Sequence, residues 1–172
     1  MLRFLNATKF VTIFCAFLCA QNIYGQEVGK EDRAVIELGA AVSRTIKDAV
    51  WSFGPTAAVE VTPIENWLEL EAGVTPLFTS TSTEWSTDLL FKKPWSLSHG
   101  VEFMIGLGPE WVHMHENNVT TNSVSGEGVL DFMFWNKDHR FGWYLEPGYE
   151  YNFGRGHEKS LGMSGGLLIA IR

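Results

Sequence analysis

Beyond about residue 33, apolar and polar residues alternate with a period of two in eight separate runs. In the first, Ala34, Ile36, Leu38, Ala40 and Val42 share one face, and Val35, Glu37, Gly39, Ala41 and Ser43 share the other. The other runs cover Thr56 to Pro63, Trp67 to Phe78, Glu84 to Lys92, Val101 to about Val112, Val124 to Trp135, Phe141 to Phe153 and Ser160 to Ile171. Successive side chains of a strand point to opposite sides, so each run predicts a β-strand. The seventh is the fullest: Trp143, Leu145, Pro147, Tyr149, Tyr151 and Phe153 oppose Tyr144, Glu146, Gly148, Glu150 and Asn152. No helical period of useful length follows residue 33.

The connections alternate in kind. Residues 63–66, 93–99 and 136–140 read as compact turns, with Pro, Asn, Asp and Ser supplying turn chemistry. Residues 44–55, 79–83, 113–123 and 154–159 read as more open polar loops. Short turns at one end and longer loops at the other fit an up-and-down antiparallel barrel of about eight strands over residues 33–172.

Alternation alone allows two barrels, one oily inside and soluble, the other oily outside and set in lipid. Three features favour the transmembrane form. Aromatic residues sit near strand ends, as Trp67, Phe78, Trp85, Phe91, Trp111, Phe134, Trp143 and Phe153 do, which suits interfacial girdles. The polar face is rich in small residues such as Gly73, Gly106, Gly148 and Ser164, and these fit the crowded interior of an eight-stranded barrel. That face also carries many carboxylates with few matching bases, an arrangement that a solvated sheet avoids. A secreted soluble β-barrel that binds a small apolar ligand remains the alternative.

Composition adds a compartment. Arg3 and Lys9, then the apolar stretch Phe10 to Ala20, then the polar exit Asn22 to Gln26 predict a secretory signal peptide over residues 1–25. A charged lead-in covers 26–32. Both cysteines, Cys15 and Cys19, fall inside the signal, so no disulfide is expected in the mature chain. The net charge of −7, with Lys92-Lys93 as the one basic doublet, argues against a nucleic-acid partner.

Together with these runs, Gly-Leu-Gly-Pro-Glu-Trp at 106–111 and Leu-Glu-Pro-Gly-Tyr-Glu-Tyr at 145–151 resemble the small eight-stranded outer-membrane barrels of Gram-negative bacteria, of the OmpA membrane-domain and OmpX type. The resemblance implies a monomer in the bacterial outer membrane, in contact with membrane lipid and lipopolysaccharide, inserted by the barrel-assembly machinery and working without a cofactor. It implies a structural, surface-interaction or narrow-pore role. The chain departs from the family in ending Ile171-Arg172, where such barrels end in an aromatic residue.

The candidate lumen residues are the acids Glu37, Glu60, Glu69, Glu71, Glu84, Asp88, Glu102, Glu110, Glu127, Asp131, Glu146 and Glu150, with Lys92, Lys47 and Arg172 as the few bases assigned to the same face. They make either a cation-attracting interior or a packed polar filling. The candidate lipid-facing aromatics are Trp111, Phe132, Phe134, Trp143, Tyr149, Tyr151 and Phe153. His113-x-His115-Glu116 has a spacing that a transition metal uses, but it reads as solvated loop without a third fixed ligand. Asn118-Val119-Thr120 matches a glycosylation acceptor by a short and common pattern. His157, Glu158 and Ser160 invite comparison with outer-membrane lipid-A deacylases, a lipid-modifying hydrolase alternative. Their spacing of three, across a strand boundary, does not put His157 and Ser160 on one face, so no catalytic residue is expected.

Overall fold

The computed structural model describes residues 34–116, 119–154 and 156–171. The expected signal peptide and lead-in, Arg172, and Asn118 of the glycosylation pattern lie outside the described residues. Eight strands follow in order: β1 (Ala34–Thr45), β2 (Trp51–Ile64), β3 (Leu68–Phe78), β4 (Ser82–Ser98), β5 (Val101–Glu116), β6 (Val119–Trp135), β7 (Phe141–Asn152) and β8 (Lys159–Ile171). Each pairs antiparallel with the next, and β8 returns to β1 through pairs running from Ala34–Ile171 to Thr45–Ser160. The sheet is therefore a closed up-and-down barrel. Closure satisfies backbone groups that an open edge would expose.

Burial assigns the faces. Leu107, Trp111 and Leu167 are more than 60% exposed, whereas Leu90, Met104 and Leu168 are at most 1% exposed. The oily face thus points outward on every strand, and the carboxylate-bearing face points in. A soluble barrel with an oily interior is excluded by this geometry. The strands run from 11 to 17 residues, enough to cross a hydrocarbon core, for which about 9–11 tilted residues suffice.

Three expected connections turn out to be mostly strand. β2 begins at Trp51 rather than Thr56, because Ser52 and Gly54 continue the inward face and Trp51 and Phe53 the outward one. The stretch 93–99 belongs to β4 as far as Ser98, where Trp95 stacks on Phe103 of β5 with ring centres 5.9 Å apart. The stretch 113–123 is a continuation of β5 and β6, paired from His113–Asn122 to Glu116–Val119. Polar composition there imitates a loop, but cross-strand pairing holds it extended.

The expected contrast between short turns and long loops is therefore absent. Among the described residues, the connections at one end are 46–50, 79–81, 153–154 and 156–158, and those at the other are 65–67, 99–100 and 136–140. The asymmetry lies in strand length instead. The last β6–β7 pair is Ser125–Asn152, and Val124 accepts from the Phe153 amide just beyond it, so Val119 to Ser123 run past β7.

Candidate functional site

The lumen fills in three tiers. At the end that carries both strand termini, Met104, Met133, Tyr144 and Leu168 pack into a buried apolar floor, with Val35 and Trp135 against it. These residues have inward parity, and they come from β5, β6, β7 and β8. The Trp135 indole Nε1 donates to Glu102 Oε2 at 3.1 Å, which ties the polar face to this floor.

The middle tier is organised by Lys92. Its side chain points inward from β4 and is 0% exposed. The ammonium lies 2.8 Å from Asp131 Oδ2, 2.8 Å from Glu146 Oε2 and 3.7 Å from Glu60 Oε2, and it is also paired with Glu71. These carboxylates come from β2, β3, β6 and β7, so one side chain ties five strands together across the lumen. Gly106 lies opposite Lys92 on β5, and a Cβ there would sit 2.9 Å from Lys92 Cγ and 2.7 Å from Val129 Cγ2. Glycine at 106 is what leaves room for the lysine stem. A charge buried this deeply is tolerated only when it is paired and hydrogen-bonded.

Oxygens of Glu37, Glu60, Glu71 and Asp131 lie within 4.8 Å of one another, the spacing of a hard-cation ligand set. Lys92 contacts three of these four residues, so the chain supplies a cation of its own at that place.

Above it, toward the 46–50 end, is a cavity of about 90 Å³, lined by Glu37, Glu71, Asp88, Glu110, Glu127, Glu146 and Glu150 among others. That is room for several water molecules. Asp88 faces Glu110 across β4 and β5, and Glu127 faces Glu150 across β6 and β7. Like charges directly opposite one another oppose the pairing they sit on. The Ser125 hydroxyl donates to Glu150 Oε1 at 2.6 Å, and Ser164 donates to Glu146 Oε1 at 3.4 Å. Glu37 Oε1, Asp88 Oδ1, Glu110 Oε2 and Asp131 Oδ1 are sheltered and have no hydrogen-bond partner among the described residues.

The structure places each of the candidate acids on the inward face. Glu69 lies across from Lys92 in the register and Glu84 across from the buried Leu77. The candidate aromatics lie on the outward face. Phe134 stacks on Trp143 with ring centres 3.9 Å apart, Phe132 packs against Phe103 at 5.0 Å, and Tyr151 meets Phe153 edge-on at 5.2 Å. Lys47 falls in the β1–β2 connection rather than on an inward strand position.

His157 lies outside β8, with Nδ1 3.1 Å from the Tyr151 hydroxyl, while Ser160 lines the cavity. The two do not meet, so the hydrolase constellation is not assembled. His113 and His115 stand on a strand face, not in a loop. The hub role of Lys92 and the floor of Met104, Met133 and Leu168 were not anticipated. A signal for the first existed, because Lys92 is the only basic side chain with inward parity among the described strand residues.

A closed eight-stranded meander, apolar outside and polar within, is the architecture of outer-membrane β-barrels. The chain is similar in fold to Neisserial surface protein A, with a TM-score of 0.67 and 12% identity over 80% of this chain and 97% of that one. It is also similar to the N-terminal barrel domain of Pseudomonas aeruginosa OprF, with a TM-score of 0.60 and 11% identity over 81% and 100%. Ail, the attachment invasion locus protein of Yersinia pestis, matches with a TM-score of 0.52 and 13% identity over 81% and 99%. No protein-family model matches the chain, and no curated sequence is significantly similar to it.

Proposed function

We propose that this chain is exported by its N-terminal signal and lodged as a monomer in the outer membrane of a Gram-negative bacterium. There it serves as a structural or surface-interaction barrel, inserted by the assembly machinery and surrounded by lipid and lipopolysaccharide. The observation that carries this reading is the outward face, which shows exposed large apolar side chains on all eight strands and carries a basic group over an aromatic ring at each rim. Arg44 lies 5.4 Å from the Trp51 ring centre near the 46–50 end, and Lys93 lies 5.8 Å from that of Trp95 near the 99–100 end. Long basic side chains and tryptophans gather where hydrocarbon gives way to headgroups.

The filled lumen supports anchoring over conduction. A path along the axis would have to cross the Lys92 cluster and then the apolar floor. Catalysis is not part of the proposal, since His157 and Ser160 stand apart. Ail has been crystallised with the heparin analogue sucrose octasulfate, but a polyanionic partner is disfavoured here by the net charge of −7. Membrane extraction and gel mobility test the reading together. The protein should resist high salt, dissolve in detergent, and run faster on a denaturing gel unheated than boiled. Release by salt alone would refute it. Cation-selective steps from the wild-type protein in a planar bilayer would replace the anchoring role with the narrow-pore one.

A further inference from the structure

We propose that His113 and His115 form a surface site for a divalent transition metal of the imidazole-binding kind, Cu²⁺ foremost, with Ni²⁺ and Zn²⁺ weaker. Both residues lie on β5, both are exposed, and both have the outward parity of Trp111. Residues two apart on a strand share a face at roughly 6.8 Å between Cα atoms. Two imidazole nitrogens bound to one ion at about 2.0–2.1 Å each are at most about 4.2 Å apart, so each ring leans at least about 1.3 Å toward the other, within reach of a side chain.

The neighbouring strand has already set the rings for this. His113 Nδ1 lies 2.6 Å from Asn122 Oδ1, and His115 Nδ1 lies 3.1 Å from Thr120 Oγ1. Asn122 and Thr120 are the direct cross-strand partners of the two histidines on β6. A carbonyl oxygen only accepts, so His113 Nδ1 carries the proton, and in the neutral ring Nε2 carries the lone pair. Fixing one ring nitrogen by a second residue is how protein sites orient a metal-binding histidine. No hydrogen bond among the described residues uses Nε2 of either ring.

The other histidines lack this arrangement. His139 Nε2 donates to the His99 carbonyl at 2.8 Å, His99 meets the edge of the His139 ring, and His157 is the single histidine of the β7–β8 connection, with Nδ1 3.1 Å from the Tyr151 hydroxyl. Two neutral imidazoles with water completing the shell favour copper over nickel and zinc, following the general order of divalent affinities. The site stands on the hairpin whatever the membrane orientation, so its failure and that of the anchoring reading are distinguishable.

The test is Cu²⁺ titration of the folded, tag-free protein in detergent, read by calorimetry and by electron paramagnetic resonance. One Cu²⁺ per chain is expected, with splitting from two nitrogens. H113Q and H115Q should each weaken binding by about 10-fold or more and leave a one-nitrogen spectrum, while H99Q and H157Q bind as the wild type does. N122A should weaken binding by about 10-fold, at the lower end of what second residues contribute; unchanged affinity there would overturn the orienting role of Asn122. Wild-type affinity in the H113Q/H115Q double variant, an oxygen-only spectrum pointing to the lumen carboxylates, or no binding at all would overturn the site. Heat-dependent gel mobility establishes that each variant has folded.

Discussion

Lys92 Nζ donates to Asp131 Oδ2 at 2.8 Å, and both side chains are fully sealed from solvent. The pair joins β4 to β6, which are not neighbours in the sheet, so it acts across the barrel rather than along it. Around it Glu60, Glu71 and Glu146 bring three more carboxylates to a single ammonium. Lys92→Met therefore removes the one cation from a cluster of buried acids. Breaking a buried pair from one side typically costs about 3–5 kcal/mol, and we expect a loss of that size here. Urea unfolding in lipid vesicles, followed by tryptophan fluorescence, measures it. A change below about 1 kcal/mol would mean that the cluster is not what holds the interior together.

Gly106 and Lys92 are coupled by space. A methyl group at 106 falls under 3.0 Å from Lys92 Cγ and Val129 Cγ2, so Gly106→Ala should destabilise by about 1–3 kcal/mol, as overpacking does. Gly128 faces outward, and a Cβ there meets the movable end of Leu107 at 3.1 Å and Gly106 O at 4.0 Å, so Gly128→Ala is the control and should have a much smaller effect. The same unfolding assay compares the two; equal losses would remove the packing argument.

The rings of Phe134 and Trp143 are nearly parallel, 11° apart, with centres 3.9 Å apart on the outer face. Aromatic pairs contribute about 0.5–1.5 kcal/mol beyond the area they bury. A double-mutant cycle with Phe134→Leu and Trp143→Leu should return a coupling energy in that range. Additive single effects would show that each ring interacts with its surroundings alone.

The apolar floor should be what keeps the barrel silent. Wild-type protein in a planar bilayer is expected to give no steps, and the triple variant Met104→Gly, Met133→Gly and Leu168→Gly should open cation-selective ones. Adding Glu102→Gln, which removes the acid bonded to Trp135 at that floor, should lower the cation preference. If the triple variant folds and remains silent, the block lies in the Lys92 tier.

Much of this was legible in the chain. Leu107, Pro109 and Trp111 on one face, with Glu110 on the other, follow from the two-residue period alone, because a strand offers its side chains no third direction. Parity also separated the twelve acids from the aromatic belt. It did not find the strand ends, since His113, His115, Thr120 and Asn122 have loop-like polarity and are held extended only by pairing across β5 and β6. Nor did it find the floor, because Met104, Met133 and Leu168 are apolar exceptions on a polar face and mean little until closure brings them together.

The sequence by itself determined the alternation, and with it the number of strands, their antiparallel order and the division into an oily and an acidic face. Local sterics set these, and each run carries its own evidence. The composition of the two faces already favoured the oily one outside, and burial fixed it; tertiary structure alone decided that Lys92 meets acids from four other strands and that the two β5 histidines are oriented by β6. Those relations depend on register and on closure of β8 onto β1, which join residues far apart in the chain and leave no mark in any single run.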